Sequence, residues 1–130
     1  MHKTAYIEVI KKICRNDPRY DIEAYIFMRE ALDYTIKAIK QSATGDDRHV
    51  SGRELTKGLR NYALQEFGPM AFTVLTSWGI KTTRDFGEIV FNLVGAGELG
   101  KREEDNIDDF NDVYDFHTEF ELPFLPEPPA

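Results

Sequence analysis

The chain has 130 residues, with one cysteine, one tryptophan, three histidines, and no Lys or Arg beyond residue 102. Each scarcity excludes something. Cys14 cannot close an internal disulfide or build a thiolate metal site, and within an apolar helical pattern it reads as a small core residue of a reducing compartment. No run of about 18 apolar residues occurs, and Lys11, Lys12 and Arg15 interrupt the apolar stretch near the start. Neither a membrane span nor a signal peptide is expected, and the location expected is cytoplasmic. The histidines do not approach zinc-site spacing. The acidic run of Glu103, Glu104, Asp105, Asp108, Asp109 and Asp112 lacks an EF-hand glycine, since the sixth residue from Asp105 is Phe110. Gly95-Ala96-Gly97 follows an apolar helix and no Gly-Lys-Ser/Thr comes after it, so a helix stop explains it better than a phosphate loop. His49 beside Ser51 is the one neighbourhood suggestive of nucleophilic catalysis, but Ser51 has a stronger claim as a helix cap. No catalytic residue, metal or cofactor is assigned on this reading, which favours a noncatalytic protein over an enzyme.

What is present is enough for a core. Hydrophobic residues make up 42% of the chain, sufficient for one domain to fold without staples. The net charge of −7 is unevenly spread: residues 1–102 hold all 16 Lys and Arg against 13 acids, a net of +3, while residues 103–130 hold ten acids. Such a split suits an acidic segment folding over a mildly basic body, an acidic arm offered to a partner, or a solubilising end.

Apolar spacing predicts helices. Tyr6, Ile7, Val9, Ile10, Ile13 and Cys14 mark a first helix over about residues 4–14, ended by Asn16-Asp17-Pro18. Asp21 then caps a long helix striped by Ile22, Tyr25, Ile26, Met28, Leu32, Ile36 and Ile39, with an Asp33–Lys37 pair outside the stripe. Gln41 to His49 reads as a surface connection. Ser51 and Glu54 have capping-box spacing, opening a helix that carries Leu55, Leu59, Tyr62, Ala63 and Phe67 and stops at Gly68. Pro69 suits the first turn of a short helix to Trp78, closed by Gly79. Thr82, Thr83 and Asp85 start a fifth, whose apolar face is Phe86, Ile89, Val90, Leu93 and Val94.

The expected fold is therefore mainly α, a bundle of about five helices in a body of residues 1–102. Its last three helices, within 48–102, suit a winged-helix arrangement. Residues 103–122 alternate acids with Ile107, Phe110, Val113, Tyr114, Phe116 and Phe120, too irregularly for a helix by spacing alone. An extended or hairpin segment packed on the body is expected there, then a Pro-rich tail over 123–130 that frays or extends.

Two surfaces follow. The favoured reading is a protein-interaction module whose partner, basic or ribosome-associated, meets Phe72 and Trp78 on the body or Phe110, Tyr114 and Phe116 on the acidic arm. The alternative is nucleic-acid or nucleoprotein binding through Arg84 and Asn92 on the fifth helix and Lys101-Arg102 at the wing, although acids crowd that wing. Asp85, Glu88, Asn92 and Asp115 exceed what capping demands and suit holding the C-terminal segment in place.

His49-Val50-Ser51-Gly52-Arg53-Glu54-Leu55, Phe67-Gly68-Pro69-Met70-Ala71, Trp78-Gly79-Ile80, the run Asp85 to Val94, and Tyr114-Asp115-Phe116 form a recognisable set, joined by Arg19-Tyr20 and Ala31-Leu32-Asp33-Tyr34. In these motifs, over roughly residues 16–116, the chain resembles a family of small bacterial proteins best represented in planctomycete, verrucomicrobial and related lineages. The resemblance implies a bacterial cytoplasmic protein and carries over no reaction and no active site.

Overall fold

The computed structural model describes residues 2–42, 51–99 and 106–126. Five α-helices make up the body: α1 (His2–Asn16), α2 (Ile22–Ser42), α3 (Gly52–Phe67), α4 (Ala71–Ser77) and α5 (Thr83–Gly95). No strand forms among the described residues. Residues 100–105, where a wing would begin, lie outside them, as does His49.

Helix ends follow local chemistry. The α1 ladder continues to Asp17, whose N–H reaches the Ile13 carbonyl at 2.8 Å, so the helix ends only where Pro18 disfavours helical geometry behind it. Asp21 caps α2 by accepting the Glu23 N–H at 2.8 Å. Ser51 and Glu54 form the capping box of α3, each side chain holding the other's backbone N–H at 3.1 Å. Asp85 opens α5 by accepting the backbone N–H groups of Lys81 and Thr82 at 2.8 and 3.0 Å. One expected pair is corrected: Asp33 lies 4.0 Å from Arg29, one turn back, and not against Lys37. Arg29 sits between α1 and the end of α5, over the Tyr6 ring and 3.6 Å from Glu98, within reach of Asp33.

The stripes meet in one core. Tyr6 and Ile10 of α1 pack on Tyr25 and Met28 of α2, and the Tyr6 hydroxyl donates to the Tyr25 carbonyl at 2.8 Å. Leu59 and Ala63 of α3, Leu75 of α4, and Phe86, Ile89, Val90 and Leu93 of α5 complete the centre. Cys14 lies at its edge, half-buried, and burial raises its thiol pKa.

Two turns far apart in the chain interlock. The Asp21 N–H donates to the Trp78 carbonyl at 3.1 Å, tying the α1–α2 turn to the end of α4. At the same joint Gly79 has φ of +93°, and a Cβ there would lie 2.3 Å from the Arg19 carbonyl oxygen. Positive φ and this close approach each call for glycine.

The C-terminal segment departs from expectation. In place of extended chain or a hairpin it forms a 3-10 turn (Ile107–Phe110), a π turn (His117–Glu121) and a second 3-10 turn (Leu122–Phe124). Side chains cap two of these: Asn106 accepts the Asp108 N–H at 2.9 Å, and Asp115 accepts the Thr118 N–H at 3.0 Å. The turns let Phe110, Phe116 and Phe120 reach the same core as α1 to α5. The start of the Pro-rich tail is likewise turned, up to Phe124, and residues 127–130 lie outside the described chain.

Candidate interaction surface

The C-terminal segment acts as a strap across α3 and α5. One of its anchors is Phe110, whose ring occupies the space where Gly87 lacks a side chain: a Cβ at 87 would lie 2.7 Å from the ring. Beside it the Thr83 hydroxyl donates to the Phe110 carbonyl at 2.6 Å and accepts the Val113 N–H at 3.2 Å. Arg84 adds a clasp through Asp108 at 2.8 Å and Asn111 at 3.1 Å. Across α3, the Tyr114 hydroxyl donates to the Thr56 carbonyl at 2.9 Å, and Arg60 pairs with Glu119 at 3.1 Å while lying over the Tyr114 ring. Burial raises the Tyr114 pKa, so the phenol stays a donor. Phe116 packs at a tilt against Phe86 and edge-on to Phe120, with centroids 5.6 and 4.9 Å away. Asp108 and Glu119 thus face arginines of the body, which is the acidic-segment-over-basic-body arrangement.

Polar residues of α5 have internal work as well. Arg19 makes a bidentate pair with Asp17 at 2.8 and 2.7 Å and reaches Glu88 at 3.2 Å; Glu88 also holds Arg84 at 3.1 Å. Asn92 donates to Asp17 at 3.1 Å and to the Tyr25 hydroxyl at 3.0 Å. The Arg19 guanidinium, foremost, holds the Asp17 carboxyl below the usual carboxylate range. Asp85, besides capping α5, accepts the Tyr20 hydroxyl at 2.5 Å. Of the polar residues singled out in the sequence, these tie α5 to the α1–α2 turn, whereas Asp115 caps a turn within the strap.

Most of the predicted contact residues are therefore occupied. Phe110 and Phe116 are 3% and 4% exposed and belong to the core, which corrects their reading as anchors for a partner. Tyr114 is held against α3, while Phe72 and Trp78 are half-buried, the indole packing on Phe27 and Phe67. Arg84 and Asn92 are corrected too: both are engaged by side chains of this chain, with Asp17, Glu88 and Asp108 around them, a setting unfavourable to phosphate. Lys101 and Arg102 lie outside the described residues.

What stays uncovered is a different apolar set. Met70, Leu122, Phe124 and Leu125 are 56%, 47%, 43% and 53% exposed, the large hydrophobic side chains most open to solvent among the described residues. Leu122, Phe124 and Leu125 are neighbours in the chain and directly follow the π turn, which packs on α4; Met70 directly precedes α4. Leu122 and Leu125 escaped the sequence reading. The apolar string Leu122-Pro123-Phe124-Leu125, set in an otherwise acidic segment, was the available signal.

Among the described residues no group of three or more His, Cys, Asp or Glu could hold a metal ion, and no helix is long and apolar enough to cross a membrane. No family model matches the chain, and no curated protein or solved structure is significantly similar to it.

Proposed function

We propose that the chain is a noncatalytic protein-interaction module of a bacterial cytoplasm, and that it docks a basic amphipathic segment of another protein on Met70, Leu122, Phe124 and Leu125. The observation that carries this reading is the exposure of those four side chains, three of them in a strap that has six acids and no Lys or Arg. Monomeric surfaces scatter such residues singly, and a cluster of them marks a contact region. Glu119 and Glu121 stand next to the cluster, and residues 106–126 contain six acids and no Lys or Arg. A partner with Lys or Arg flanking an apolar face matches both features, the charges raising the encounter rate and the apolar contact supplying affinity. The half-buried free Cys14 and the resemblance to bacterial proteins support the compartment.

Carbodiimide cross-linking tests this, because it joins carboxylates to lysines in direct contact. In nuclease-treated native lysate, Glu119 or Glu121 should couple to lysines of one protein, and the double change Phe124→Ala and Leu125→Ala should abolish the coupling with the fold intact. Coupling unchanged by the substitutions, or a partner lost on nuclease treatment, would overturn the reading.

A further inference from the structure

The interlocked turns line an open, solvent-facing cleft at the C-terminal end of α4, with a volume of about 480 Å³, within the size range of small-molecule sites. Its walls include Cys14, Arg19, Asp21, Ser77, Trp78 and Lys81. Three features single it out. First, the walls are fixed: the Asp21–Trp78 backbone bond and the contact of Gly79 with Arg19 lock both turns, and Phe27 and Phe67 hold the indole from behind, with centroids 5.6 and 5.8 Å away. Second, Lys81 is the available cation: Arg19 is paired with Asp17, whereas the exposed Lys81 ammonium makes no ion pair among the described residues, and Asp21, which accepts the Glu23 N–H, is the one acid of the lining. Third, the Trp78 indole N–H makes no hydrogen bond among the described residues, and Trp78 lines the same cleft as the unpaired Lys81.

We propose that this cleft binds a small planar monocarboxylate, its ring against Trp78 and its carboxylate at Lys81. A single free cation suits a monoanion better than a phosphate dianion, which would also face the Asp21 carboxylate. Cys14 plays no nucleophilic part, since its thiol lies 3.7 Å from the Tyr20 carbonyl and burial keeps it protonated.

Trp78 is the sole tryptophan, so its indole N–H gives one unambiguous cross-peak in a proton–nitrogen correlation spectrum. Benzoate, benzamide and acetate are titrated into the labelled full chain. Benzoate should shift the indole peak and the Gly79 and Lys81 amides saturably, while benzamide, lacking the charge, and acetate, lacking the ring, should shift them far less. Lys81→Met, at an exposed position that leaves the fold unchanged, should weaken benzoate by roughly threefold to fivefold, as expected for a solvent-facing ion pair. The proposal is overturned by an absence of saturation up to about 10 mM benzoate, by an equal response to benzamide or acetate, or by equal affinity in Lys81→Met. This titration is independent of the cross-linking result, which concerns residues that do not line this cleft.

Discussion

The helical body and the acidic strap reach the same core by opposite routes. In the body, each helix presents a stripe: Phe86, Ile89, Val90 and Leu93 of α5 are buried together because helical spacing lines them up. In the strap, single rings enter from short turns, and side chains of the body hold it in place: Thr83 on the backbone at Phe110 and Val113, and Arg84 and Arg60 on the side chains of Asp108 and Glu119. Periodicity organises the first region and specific tertiary contacts organise the second. An acidic composition can thus mark part of a folded core, not an arm, when the body offers arginines and glycine-lined space to receive it.

The sharpest way to break this contrast is at Phe110. Phe110→Ala should cost about 3–5 kcal/mol, the usual penalty for truncating a buried Phe. Urea unfolding followed by Trp78 fluorescence reads it, and because Trp78 lies outside the Phe110 contacts, a lowered midpoint there shows that strap and body unfold together. An unshifted midpoint would mean that the strap is an appendage. Thr83→Val should cost less, about 1–3 kcal/mol, by leaving the buried Phe110 carbonyl and the Val113 N–H unmatched at nearly constant volume. If its effect equalled that of a surface substitution, the hydroxyl would not be the pin inferred for it.

The smallest effect concerns the body's own polar network. Asp17 titrates below its ordinary value of about 3.9, so its contribution is fully present above that pH and is lost as pH falls through the lower folded value. Asp17→Asn should cost only about 0.2–1 kcal/mol at neutral pH, because Arg19 is half exposed. It should also flatten the acid limb of a plot of stability against pH, and an unchanged acid limb would dissociate Asp17 from it.

The five helices were legible because their signals are local: the Ser51–Glu54 box, Asp21 before α2, and the glycine at 79 all act within a turn or two of themselves. The helical turns of the strap were not legible, since Ile107–Phe110 is one turn long and is positioned by Thr83 and Arg84 from elsewhere in the chain. Phe116 and Phe120, one helical turn apart, with Asp115 capping Thr118, were the local hint. The site was less legible than the fold. Aromatic residues in an acidic stretch look the same whether their pocket is in the same chain or in another, so Phe110 and Phe116 read as anchors for a partner, and Arg84 and Asn92 as free readers of a groove.

The joint between Gly79 and Arg19 has a consequence for how such chains can vary over evolution. A turn pressed against another turn cannot change length alone, because one added residue at either would displace both the Gly79 contact and the Asp21–Trp78 bond. Among homologous chains, insertions should therefore be absent from residues 17–21 and 78–82, or should occur in both at once.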